Sequence, residues 1–209
     1  MADETLPRLL VFSDLTRAPR DVMLARFNTL ADAARPRSVV FTVRDYALSA
    51  RARWTLGVEL AALAARTGQL LGVADRADLV QGLGAHALHL PENGLSLKDA
   101  RTCVGVGIFI SRACHEPLRS AVVGADAAVL SPIFAPRKGR PALGLEAIER
   151  ARDAQKESEV APALYALGAV VAENAAHCLA AGATGVAVIG AALEPDPAPL
   201  LKALEISRD

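Results

Sequence analysis

Cationic side chains gather where an apolar run ends. Residues 125–131 read as a buried strand, and the loop beyond them carries Arg137, Lys138 and Arg140 among Pro132, Pro136 and Pro141. Prolines restrict the backbone holding these charges. A rigid cationic loop at the carboxyl end of a strand is therefore expected, an arrangement suited to an anionic substrate. A merely solvated charged loop is the alternative. Arg44 ends another apolar run, 38–44, where it either contacts a ligand or pairs with a neighbouring carboxylate. Asp75 and Glu92 follow two further runs. Carboxylates facing cations across a cavity suit a magnesium-bound diphosphate: oxygen ligands hold Mg2+ while Arg44, Arg137 and Lys138 neutralise phosphate oxygens. Asp75 also stands where a helix begins, so an N-cap role is equally open.

Two more strand-like segments, 165–169 and 186–191, close around Gly168 and Gly190. Bare backbone there can approach a ligand, and helix N–H groups can receive phosphate; ordinary turn glycines are the plainer alternative. Ser131 heads the cationic loop. His89 ends an apolar run and is either an oriented structural histidine or a substrate contact. Asp45, Arg76, Ser111 and Arg112 are further polar residues at strand ends, whereas His115 is expected at the surface, starting a helix. His177, Cys103, Cys114 and Cys178 read as structural.

These side chains meet only if the elements bring them to one place. Strand-like runs at 9–13, 38–44, 69–73, 85–90, 102–110, 125–131, 163–167 and 184–189 alternate with helical patterns. The helical segments are 21–34, 49–66, 76–83, 95–101, 115–123, 145–155, 173–181 and 198–204. Within the second of them, apolar Trp54, Val58, Ala61, Leu63 and Ala65 recur at helical spacing. Eight units of about 26 residues each predict a single-domain α/β fold over 1–209, the (β/α)8 TIM barrel. Its ligand site would lie at the carboxyl ends of the strands. An open doubly wound sheet would show a Gly-rich turn after its first strand, and residues 12–17 contain no glycine.

Composition narrows the function class. Lys+Arg and Asp+Glu are equal at 23 each, which gives no global field for nucleic acid or an anionic membrane. Three cysteines without metal-type spacing point to a reducing, cytoplasmic setting. No basic–apolar leader or spanning apolar run is visible. The phosphate-binding rim points to small phosphorylated molecules as partners, with a homodimer compatible.

The chain from about residue 39 to 193 resembles the thiamine phosphate synthase superfamily, whose second branch comprises the TenI-like thiazole tautomerases. The block 125–146 carries the resemblance, with Tyr165-Ala-Leu-Gly-Ala-Val170, Glu173-Asn-Ala175, Ala180-Ala-Gly-Ala183, Gly185-Val-Ala-Val188, Val73-Ala-Asp75 and His89-Leu-Pro-Glu92. It implies a transferase that joins hydroxymethylpyrimidine diphosphate to thiazole phosphate, giving thiamine phosphate and diphosphate. It also implies Arg44 and Lys138 on the diphosphate, Asp75 on Mg2+, and Gly168 and Gly190 around the thiazole phosphate. Further substrate contacts are expected from His89, Ser131 and Arg137.

The chain departs from the family pattern. Thr42-Val-Arg44-Asp-Tyr46 stands for Gln-x-Arg-x-Lys, and Ala74 for the Asn of Asn-Asp. Pro91-Glu92 replaces Gly-Gln, Gly94 falls where a second metal-binding aspartate is expected, and Glu92 is the substitute ligand. Gly168-Ala169 replaces a doubled glycine. The strand-six histidine of the tautomerases is Pro132, leaving His89 or His115 to move a proton. A thiazole tautomerase and a non-catalytic phosphate-binding paralogue are the alternatives.

Overall fold

Continuous apolar runs of four to six residues, separated by amphipathic stretches, can satisfy every backbone group and bury both faces only as parallel strands wrapped by helices. The computed structural model describes residues 6–115, 124–156 and 161–208 and has this form. The strands are β1 Leu9–Phe12, β2 Val39–Val43, β3 Leu70–Ala74, β4 Ala87–Leu90, β5 Phe109–Cys114, β6 Ala127–Leu130, β7 Ala163–Leu167 and β8 Gly185–Val188. Each pairs in parallel with the next, and β8 closes on β1 through Leu9↔Val186. The helices are α1 Arg20–Ala33, α2 Ala50–Thr67, α3 Ala77–Gly82, α4 Leu97–Val104, α5 Leu145–Gln155, α6 Ala172–Ala180 and α7 Ala198–Ala203, with a 3-10 turn at Gly190–Leu193. The predicted (β/α)8 barrel is the observed fold.

Alternation along each strand separates two apolar layers. Val11, Phe41, Leu88, Ile110 and Val186 pack outward against the helices. Leu10, Phe12, Val40, Leu70, Val129 and Tyr165 form a second cluster that fills the barrel. Aromatics are only 4% of the chain, so one large ring does much of this filling. Tyr165 is fully buried, and its hydroxyl donates to the Pro7 carbonyl at 2.6 Å. Gly185 makes room for it: a Cβ there would lie 2.3 Å from the Arg8 carbonyl oxygen and 2.8 Å from the Tyr165 ring.

Two expectations need correction. The sequence pattern predicts strand five at 102–110, but α4 continues to Val104 and the chain turns at Gly105 (φ 84°) before β5 starts at Phe109. The apolar residues Cys103, Val104 and Val106 belong to the helix end and turn, and hid the boundary. Ser111 and Arg112 therefore lie within the strand, and His115 follows its end directly. The rest of the predicted helix 115–123, residues 116–123, lies outside the described residues. On α2 the buried stripe is Leu56, Leu60, Leu63 and Ala64, while Trp54 and Val58 are exposed. In an Ala- and Leu-rich helix two adjacent stripes both read as apolar, and contact with the sheet selects one. Among the described residues no helix is long and apolar enough to cross a membrane.

Candidate active site

Because all eight strands run the same way, the residues after their carboxyl ends share one mouth. Arg44 follows β2 there. Its backbone N–H donates to Ser13 Oγ at 2.9 Å, and its Nη2 donates to Asp14 Oδ2 at 2.9 Å. The neighbouring carboxylate, Asp45, is buried beneath the mouth, where it accepts from Ser13 Oγ and from the Leu15 N–H at 2.5 Å. Asp45 thus ties the β1 loop to β2 and leaves Asp14 and Arg44 above it. Burial alone would raise the Asp14 carboxyl's pKa. The hydroxyl and N–H of Thr16, with Arg44 and Arg17, outweigh that and hold it below the ordinary carboxylate range. Asp14 is therefore an anion that restrains two arginines.

Arg53, from the first turn of α2, supports the same strand ends from below. It is buried, and its Nη2 donates to the Arg44 carbonyl at 3.0 Å and lies 3.5 Å from the Ala74 carbonyl. Tyr46 covers it, with the guanidinium 5.3 Å from the ring centroid. Asp75 follows β3 in the left-handed region (φ 66°), its N–H donating to the His89 carbonyl at 2.8 Å. It does not cap α3, whose N-cap position is Arg76 and lacks a side-chain cap. The Asp75 side chain is exposed at the rim, as a ligand-binding carboxylate would be. Positive φ in a non-glycine residue is mild strain of the kind found at functional sites.

At β4 the floor carries an uncharged side chain. His89 on β4 is buried, its Nδ1 3.0 Å from Ser111 Oγ and its ring 4.7 Å from Phe12. Burial, with help from Arg44 and Arg112, pushes its pKa down to about 3. Arg112, by strand alternation, points the other way and donates through Nη2 to the Leu95 carbonyl, holding the β4–α4 loop.

Across the mouth the β6 loop forms a hairpin. Arg137 and Arg140 exchange two backbone hydrogen bonds of 3.0 Å around Lys138 (φ 50°) and Gly139 (φ 76°), the backbone of a type I′ turn. Arg137 and Lys138 are exposed at its tip. Arg140 donates to Glu92 Oε2 at 3.2 Å, linking the hairpin to the β4 loop. His115 sits between them: Nε2 is 3.9 Å from Glu92 Oε2, and Nδ1 is 2.8 Å from the Ser131 carbonyl and 3.2 Å from Ser131 Oγ. His115 is thus part of the site, half-buried rather than on the open surface.

Gly168 (φ 112°) is glycine for a packing reason. A Cβ there would lie 2.9 Å from both Ile133 N and Pro132 Cα, because the β6 loop runs against β7, with Phe134 N–H donating to the Gly168 carbonyl. Ala169 next to it is also left-handed (φ 53°). At Gly190 a Cβ would lie 3.3 Å from Arg17 Nη1.

A family model described as thiamine monophosphate synthase matches residues 18–192. The chain belongs to that family. It is 33% identical over 197 residues to the thiamine-phosphate synthase of Methanoculleus marisnigri, covering 91% of this chain and 84% of that one. With the thiamine-phosphate synthase of Thermus thermophilus it shares 35% identity over 161 residues, 74% of this chain and 75% of the relative. A thiamine phosphate pyrophosphorylase structure from Pyrococcus furiosus has the same fold, with TM-score 0.76 and 23% identity over 95% of both chains. These relatives support a role in thiamine biosynthesis.

The structure thus brings Arg44, Asp75, Glu92, Ser131, Gly168 and Gly190 to one rim, with His89 beneath it and Arg137 and Lys138 on the hairpin. Sequence reasoning passed over Asp14, Arg17 and Arg53. The strand-end rule, applied after β1 as after the others, finds the first two; Arg53 lies on a helix and carries no such signal. Among the described residues no group of three or more His, Cys, Asp or Glu could hold a metal ion. Glu92, expected as a metal ligand, is engaged by Arg140. Mg2+ bound partly by substrate phosphates needs only one or two carboxylates, and exposed Asp75 fits that limited part.

Proposed function

We propose that this protein condenses hydroxymethylpyrimidine diphosphate with thiazole phosphate to give thiamine phosphate and diphosphate. The observation that carries the proposal is Arg44, held at the mouth by Asp14, facing a cationic hairpin within a barrel of this family. In the reaction the methylene C–O bond to diphosphate breaks, and the leaving group takes the electron pair. The thiazole nitrogen then forms the new C–N bond to that methylene. The chemistry needs charge stabilisation and alignment more than a protein nucleophile.

Arg44 and Lys138 would bind the diphosphate as charge develops on it, with Arg137 adding to the field at the hairpin. Asp14 and Arg53 would keep Arg44 in place. Neutral His89, paired with Ser111 under the mouth, would offer a hydrogen bond to the pyrimidine without adding charge. Bound Mg2+ would supply charge neutralisation for the diphosphate, with Asp75 as its protein ligand. The test is diphosphate release with both substrates and Mg2+. Arg44→Ala is expected to lower kcat/KM by roughly 100-fold or more, as for removal of one preorganised transition-state donor. Its effect on thiazole phosphate affinity should be small. Release at the background rate with both substrates present would refute the proposal.

One observation favours a second reading. His115, between Glu92 and Ser131, is placed to move a proton, as a thiazole tautomerase requires. Isomerisation of a thiazole carboxylate phosphate without any pyrimidine substrate, abolished by His115→Gln, would support it.

A further inference from the structure

The Arg17 guanidinium is incompletely used by the protein. Its contact with a carboxylate among the described residues is Nε to Asp14 Oδ2 at 3.7 Å, too long for a hydrogen bond. Asp14 is already committed elsewhere, to Arg44 at 2.9 Å and to the Thr16 hydroxyl at 2.5 Å and N–H at 3.1 Å. Its Oδ2 therefore orients Arg17 by charge without saturating its five N–H donors. The Nη1 end lies over the Gly190 turn, 3.3 Å from where a Cβ would stand, so any larger residue at 190 would press on it. The side chain remains 42% exposed, open to a ligand from the mouth.

We infer that Arg17 is the side-chain cation of the Gly190 end of the site and that it binds a phosphate monoester dianion. This deepens the proposed function and rests on the placement of the thiazole phosphate at Gly168 and Gly190 that the family resemblance implies. A guanidinium presents paired donors that match two phosphate oxygens. Asp14, shared by Arg17 and Arg44, then spaces the two cations that receive the two substrates. The phosphate end thus uses charge as well as backbone N–H groups.

The experiment measures calorimetric binding of thiazole phosphate and of the corresponding thiazole alcohol to the wild-type chain, Arg17→Ala and Arg17→Lys. The phosphate ester should bind wild type more tightly than the alcohol. Arg17→Ala should weaken ester binding roughly 10- to 100-fold, the loss expected of charge-assisted hydrogen bonds. Alcohol binding should not change, and Arg17→Lys should fall between. If wild type favours the ester and Arg17→Ala keeps the whole preference, the role of Arg17 is overturned while the phosphate site stands. If wild type binds ester and alcohol equally, the phosphate site falls, and Arg17's role with it.

Discussion

Replacing His89 with asparagine should alter how stability depends on pH. An imidazole titrates near 6.5 in the unfolded chain, and burial of His89 lowers its folded value to about 3. As pH falls, the unfolded chain takes up the proton first, so stability is complete above about 6.5 and is lost progressively down to about 3. Linkage between these two values makes the loss about 2.7 kcal/mol between pH 7.5 and 4.5. Carboxylates titrate in the same window, and the His89→Asn variant subtracts them. Urea unfolding at pH 7.5, 6.0 and 4.5 is the assay. Wild type should lose about 2.7 kcal/mol more than His89→Asn across that range. Parallel pH curves would refute the buried, neutral histidine, and with it the uncharged side chain assigned to the floor at β4.

Two neighbouring positions after β7 should respond in opposite directions. Gly168→Ala puts a Cβ 2.9 Å from the Ile133 and Pro132 backbone at a φ of 112°, and is expected to destabilise by roughly 2–4 kcal/mol through strain and overpacking. A urea midpoint equal to wild type would contradict this. Ala169→Gly relieves a left-handed φ of 53° and is expected to raise stability by about 1 kcal/mol, also read from the urea midpoint; no gain would mean that the turn is unstrained.

The barrel was legible because period and length carry it: apolar runs of strand length followed by helical patterns leave few other ways to bury both strand faces. Boundaries were less legible where glycine and apolar residues mix, as at Val104–Gly107. Side-chain pairing was least legible. Arg44 could be placed at a strand end from sequence, but its partner Asp14 lies thirty residues earlier, and only closure of β1 on β2 brings them together. Glu92 shows the same limit: its carboxylate is of a metal-binding type, yet the β6 hairpin brings Arg140 onto it. Gly168 also had two readings in the sequence, and its contact with Pro132 and Ile133 accounts for it through packing.

The most direct measurement is a crystal structure of the protein with diphosphate, Mg2+ and thiazole phosphate. Diphosphate oxygens should lie within hydrogen-bond distance of Arg44 and face the Lys138 hairpin, with Asp75 on the metal. The thiazole phosphate should lie over the Gly190 turn beside Arg17. Anions bound away from the carboxyl ends of the strands, or an Arg44 that keeps only Asp14 for company while diphosphate sits elsewhere, would contradict the account.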